Sequence, residues 1–526
     1  MNRWLKYFLL FIGAILLIAL IYGTYQFRDR HKGYDLNLSL MNEGKGELSA
    51  GFAIADISPV GFDTWEDANN DARFNESDGD HYNDLNGNDK FDPIWLAGFQ
   101  QNRPASGIND PLWARAMVLN DGKIKLGLCV IDMIGFGNDE VLTVRKRILE
   151  QTDLDHVIIT STHVHSSPDM MGMWGPDPFT RGVDEGYKNL VFDGIVSSVL
   201  EAYNKQKPAY LKFAINESDA APLVGDTRAP EVYDAAIRLM QVVDKDTHKT
   251  LGTILNWGNH PETLWSQNTL VSSDFPHYWR EYMEKGIVYN DSVYHEGLGG
   301  VSIFLNAALG GLMTTRPSDP LLHPYSKDTL KEATVEKIDA QGMALAKISF
   351  ETMEKGMDTV YNSSLALRAK TVALPMVNKL FRLASFIGVF DRGFVSWGNV
   401  RSEVNAWKLG PATFVHIPGE LYPEILNGGV EAPEGADFGI APVEVPAIKS
   451  QMPGKFKFFS GMANDMIGYI VPKSQWDEKP PFTYGRDKAP YGEVNSLGPE
   501  TAPILHRETL KLLNDLSKTA SSLERN

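Results

Sequence analysis

The stretch that most constrains this chain is residues 157–169, VIITSTHVHSSPD. Val157, Ile158, Ile159 and Thr160 are β-formers and predict a short buried strand, because branched side chains suit a pleated, packed surface. The strand runs into His163-Val164-His165, and Pro168 ends regular pairing. In extended backbone, residues two apart point to the same side. His163 and His165 are therefore expected to face one cavity from the end of a core strand. Two converging imidazoles suit a metal ion, or one ligand beside one acid/base group. A hydrogen-bonded histidine pair in a loop has the same local sequence, and HxH by itself does not separate these readings.

A chain of 526 residues with 43% hydrophobic and 22% charged content has room for a substantial core. A net charge of −17 argues against a nucleic-acid partner, which requires clustered Lys and Arg. Cys129 is the single cysteine, so no intramolecular disulfide forms. Lys6 and Arg28 enclose 21 uncharged residues, enough to cross a hydrocarbon core of ~30 Å as a helix. Trp4, Tyr7, Tyr22 and Tyr25 stand where aromatic belts stand. No small-x-small cleavage site follows closely, so residues 1–28 read as an uncleaved anchor. Residues 29–48 read as a polar spacer, with the large part of the chain placed outside the cytoplasm.

From residue 49 to 526 the chain reads as one large α/β domain with mixed sheets and flanking helices. Strands are expected at 51–57, 124–133, 157–160, 211–215, 238–243 and 251–256, and helices at 138–151, 189–205 and 327–354. Residues 64–93 form an acidic insert. In it Asp84, Asn86, Asn88 and Asp92 recur around Gly87 much as oxygen ligands wrap Ca²⁺, although a solvated acidic loop reads the same. Residues 376–390, MVNKLFRLASFIGVF, read as a buried helix with Lys379 and Arg382 snorkelling, in preference to an interfacial helix.

Several blocks together resemble the neutral/alkaline, non-lysosomal ceramidase family. GFAIADISP looks like its opening strand, and ASGINDPLWARAMVL, STHVHSSPD, NWGNHPETLWSQNTLVSSD, IPGELYPE and MANDMIGYIVP follow in the family's order. The resemblance implies one Zn²⁺ held by His163, His260, Glu420 and Tyr469. It also implies that His165 lines the site as a proton shuttle, and that Arg228 stabilises an oxyanion. Tyr491 or Tyr484 matches a further family tyrosine. Where the family has Gly-Asp-Val-Ser-Pro, this chain has Gly310-Gly311-Leu312-Met313-Thr314. A mechanism that needs that serine cannot operate here, which puts ceramide itself in doubt as substrate. The resemblance covers only the family's catalytic domain.

The implied activity is metal-dependent hydrolysis of an N-acyl bond in a lipid or small molecule. Two other readings stand beside it: a two-metal HxH amidohydrolase, and a non-catalytic, calcium-dependent surface-binding protein.

Overall fold

Residues 50–57 alternate between two sides, and both sides are apolar, which requires a cover on each. A computed structural model, which describes residues 3–44, 46–311 and 313–523, supplies both covers. Ala50 and Phe52 join Met117, Leu128, Trp407, Phe414 and Phe458 in one cluster. Ala53 and Ile57 join Ala116, Ile131, Val191 and Ile195 in another.

The strand Ser49–Asp56 is thus central to a mixed sheet, which is nine-stranded among the described residues. Its long path runs Val301–Asn306, Thr250–Trp257, Ile237–Asp244, Lys207–Asn216, Ser49–Asp56, Trp113–Asn120, Lys125–Ile131, His156–Ser161. Helices Asn138–Leu149 and Glu185–Asn204 cover one face. A second sheet, built on Leu365–Pro375, Asn399–Leu409, Ala412–His416 and Phe456–Ser460, covers the other and carries helix Thr501–Leu523 on its far side. The expected mixed α/β architecture is observed, as two packed sheets between helical layers.

Three expectations are corrected. Residues 29–48 are not a free spacer: Asn37–Met41 pairs antiparallel with Leu365–Pro375, and Asp29 is ion-paired with Arg401 at 2.9 Å. The long helix begins at Val335 rather than near 327. Thr329–Leu330 instead pairs with Leu321–Leu322, and Thr334 caps the helix by accepting from the Lys337 amide. In the helix Lys379–Ile387 only Phe381 and Ser385 are buried, so the apolar stretch at 376–390 is not a core helix. An apolar helix face without a protein partner has the same composition as one facing the core.

The helix Arg3–Gln26 is long and apolar enough to cross a membrane, and its most apolar window is unburied. Asp84, Asn86, Asn88 and Asp92 share one exposed loop. Asp84 accepts from the Gly87, Asn88 and Asp89 amides, and Asp92 accepts from the side chains of Asn86 and Asn88.

Candidate metal centre

The strand His156–Ser161 lies parallel to Lys125–Ile131, with Met462, Ala463 and Asn464 on its other side. There the Asn464 side chain accepts from the Ile159 amide at 2.9 Å, and the Ser161 amide donates to Met462 at 3.2 Å. Past Ser161 the backbone leaves the ladder, and His163 takes φ +68°, a left-handed conformation unusual for a side chain of this size. The turn aims the His163 imidazole inward, where Nδ1 donates to the Ile134 carbonyl at 2.6 Å.

His260 is placed by a different strand end. Thr250–Trp257 is fixed by Asn256, whose amide donates to the carbonyls of Leu305 and Phe459. His260 then donates from Nδ1 to the Met313 carbonyl at 2.7 Å. A carbonyl only accepts, so in both residues Nδ1 carries the proton and Nε2 presents a lone pair. Metal-binding histidines are oriented in this way.

Glu420 and Tyr469 arrive together, because Glu420–Leu421 and Tyr469–Ile470 pair in parallel with Glu420 opposite Tyr469. Gly310 packs against this pair so closely that a Cβ there would lie 2.2 Å from the Glu420 carbonyl oxygen. The segment that replaces the family's serine block therefore abuts the site, although Leu312 lies outside the described residues.

The donor atoms converge. Nε2 of His260 lies 3.2 Å and Nε2 of His163 lies 3.5 Å from Glu420 Oε2, and Nε2 of His165 lies 3.4 Å from that of His163. A tetrahedral zinc with bonds of about 2.0–2.1 Å sets its ligand atoms ~3.3 Å apart. The donor set therefore fits a metal ion. His163, His165 and His260 form a buried group able to hold one.

Burial opposes ionisation of Glu420, but the adjacent histidines outweigh it and hold the carboxyl well below its usual range. Burial, followed by the Glu420 charge, pushes the Tyr469 phenol well above its ordinary value. Burial also pushes the His165 imidazole down to about 4, against the pull of Glu262. His165 is accordingly neutral at pH 7. Its Nδ1 lies 2.8 Å from a Glu262 oxygen, so a proton there leaves the Nε2 lone pair facing the cavity.

Glu262 was not read from the sequence, although it stands only two residues after His260. Gly98 and Phe99 were missed as well. Gly98 has φ +109°, and a Cβ on it would come within 2.6 Å of the His165 side chain. Phe99 meets the His165 ring edge-on at 5.2 Å. Gly98→Ala is expected to displace His165 and lower turnover on the order of 10²-fold, the usual cost of a misplacement near 1 Å. Metal content measured beside kcat checks this, with the metal expected to remain.

His163, His165 and Glu420 line a cavity of about 560 Å³, counted to its open mouth, whose walls include Met171, Met173, Trp174, Phe381, Phe390 and Met466. Asp169 shapes one wall by accepting from the amides of Met171, Gly172 and Trp174. Of the two candidate tyrosines, Tyr491 lines the cavity and Tyr484 instead donates to Glu431 at 2.5 Å.

Arg228 is not brought there. Its guanidinium is buried, donates to Glu424 at 2.5 Å and to Gln475 at 3.1 Å, and lies 4.1 Å over the Tyr422 ring. With that charge committed to Glu424, the expected oxyanion role loses its geometric basis.

The profile described as "Neutral/alkaline non-lysosomal ceramidase, N-terminal" matches residues 91–316. No curated protein matches the chain. The fold is similar to that of neutral ceramidase from Pseudomonas aeruginosa, with TM-score 0.60 and 15% identity, covering 90% of this chain and 75% of that one. It is also similar to a structure described as ceramidase complexed with C2, with TM-score 0.61 and 14% identity, covering 90% and 76% respectively. Residues 91–316 thus match the N-terminal model of the neutral/alkaline non-lysosomal ceramidases, and nearly the whole length of the chain is similar in fold to neutral ceramidase.

Proposed function

We propose that this protein is a zinc-dependent amidase that cleaves the N-acyl bond of a ceramide-like lipid, anchored by its N-terminal helix with the α/β body outside the cytoplasm. The observation that carries the reading is the convergence of imidazole and carboxylate donors at the base of an apolar cavity. His163, His260 and Glu420 would hold the ion, with Tyr469 beside Glu420. Bound there, zinc supplies Lewis acidity and makes water a competent nucleophile near neutral pH.

The chain's own groups do the rest. The apolar walls take the acyl chain and exclude bulk water, which strengthens every charge interaction inside. Neutral His165, with Nδ1 turned to Glu262, accepts a proton at Nε2 and returns it to the leaving amine. That path needs no serine from the 310–314 segment.

The test is an assay of purified full-length protein in detergent micelles against ceramide, other N-acyl lipids and N-acyl amino acids, with metal analysis alongside. Hydrolysis of an N-acyl lipid, lost on chelation and restored by zinc, at one zinc per chain, is the expected result. Two metals per chain would favour the two-metal reading, and one zinc without turnover on any N-acyl compound would overturn the amidase.

The calcium reading of Asp84, Asn86, Asn88 and Asp92 rests on their shared loop. Millimolar calcium added after chelation is expected to raise Tm and protect this loop from proteolysis, because a ligand bound only by the folded state stabilises it. Unchanged values of both would leave a solvated loop.

A further inference from the structure

The helix Lys379–Ile387 turns two faces in different directions. Phe381, with Phe390 just beyond the helix, lines the same cavity as His163 and His165. Leu380 and Leu383 point outward at 63% and 51% exposure, beside Val377 and the nearly bare Trp397 at 84%. Monomer surfaces rarely cluster large apolar side chains in this way unless something covers them.

The location of the patch indicates its cover. Phe386 of this helix meets Tyr22 edge-on at 5.5 Å and Phe27 at 6.4 Å, and Gly23, the buried residue of Arg3–Gln26, is buried against Phe386. Contact is thus made at the last turn of the apolar run, while the earlier turns project away exposed.

The exit from that run is clamped and leaves no loose tether. Phe27 packs on Phe394 at 4.8 Å and on Trp397 at 5.8 Å, Arg401 holds Asp29 at 2.9 Å, and Arg30 pairs with Asp391. The body therefore has a set height relative to the helix end. Arg382 lies with Phe27, Phe394 and Trp397 around one small pocket, the Arg28 carbonyl accepts from the Phe394 amide at 3.1 Å, and Lys379 opens the same helix, although the chain as a whole carries −17. Apolar side chains with a cationic fringe suit the headgroup boundary of a bilayer.

We propose that the outer face of Lys379–Ile387, with Val377 and Trp397, rests in the lipid–water interface of the membrane entered by Arg3–Gln26. The mouth of the histidine cavity then opens at the lipid surface, and the substrate passes along this helix from the bilayer without entering water. The proposal rests on reading Arg3–Gln26 as a membrane span. It adds an interaction surface and an entry route for substrate.

The test uses the full chain reconstituted in phosphatidylcholine vesicles. Single labels are placed at Leu383→Cys, at Leu16→Cys in the anchor and at Lys249→Cys on an exposed turn; Cys129 is buried, which shields it from the label. Spin-labelled lipids are expected to quench the labels at 383 and 16 but not at 249. Quenching at 16 without quenching at 383 overturns the proposal and leaves the anchor standing. Absence of quenching at both would overturn the span, and with it this surface.

A second measurement guards against a merely structural effect. The double substitution Leu380→Glu, Leu383→Glu is expected to slow hydrolysis of vesicle-embedded N-acyl lipid roughly tenfold or more, chiefly through apparent KM. Hydrolysis of a short-chain soluble analogue should be unchanged. Equal effects on both substrates, or none on either, would overturn the entry route.

Discussion

Replacing His163 or His260 with Ala is expected to empty the metal site and reduce hydrolysis to background. Each residue supplies one of few donors, and each donor is held in place by a carbonyl behind it, Ile134 for His163 and Met313 for His260. The same measurement sorts the remaining residues. Tyr469→Phe keeps the ring packed and removes one oxygen, so it should lose less metal.

His165→Ala should keep the metal and lose roughly 10²- to 10⁴-fold in rate if the imidazole moves a proton. If the metal leaves with His165 instead, its Nε2, 3.4 Å from that of His163, is the fourth ligand, and Tyr469 is left to orient Glu420. Glu262→Gln should cost about 10–100-fold in affinity or rate, in whichever of these His165 governs, as partners behind such histidines do. Metal content beside the rate decides between the outcomes, and unchanged metal content in every variant would remove the site.

Glu403→Ala is expected to lower stability by about 3–5 kcal/mol, measured by urea denaturation. Glu403 is fully buried on Asn399–Leu409 in the second sheet. It accepts from Arg145 at 2.8 and 2.9 Å and from Tyr34 at 3.0 Å. Arg145 belongs to the helix Asn138–Leu149 on the first sheet's side, and His156 reaches Asn405 at 2.8 Å nearby. Removing one partner strands a buried guanidinium, and that uncompensated charge is the larger part of the loss.

The pair also sets a pH dependence. Burial alone would raise the Glu403 carboxyl, but Arg145 overrides it and holds the value below the usual range. Its contribution is therefore present above the unfolded-state value and is lost as pH falls through the folded one. The wild type should lose stability on acidification below the ordinary carboxylate range, and the variant should lose less.

The histidine-bearing strand was legible because its information is local. Branched residues at 157–160 specify extended backbone, but the strand ends at Ser161, and the two imidazoles converge through the left-handed turn at His163 (φ +68°) and not through the two-residue period of a strand. The N-terminal helix was legible for a similar reason, since 21 uncharged residues have few other solutions.

The assembly of the centre is not local. Glu420 meets His163 and His260 because Met462, Ala463 and Asn464 join the edge of the first sheet through the Thr160–Ala463 bridge, bringing with them Glu420 and Tyr469, which pair in a small two-stranded sheet of their own. Only the resemblance to a family had connected those positions. Arg228 shows the opposite case. A charged residue in a suggestive motif has no fixed target until its competitors are placed, and the Arg228 guanidinium is held by Glu424 and Gln475.

Residues 376–390 carried the same ambiguity in a physical form. Apolar side chains lower their free energy by leaving water, whether the cover is protein or lipid. The sequence by itself determined that residues 376–390 would be strongly apolar, with Lys379 and Arg382 on one face. Tertiary structure alone decided that one face closes the histidine cavity while the other is left without protein beside the end of the N-terminal helix, because burial depends on what the rest of the chain brings near.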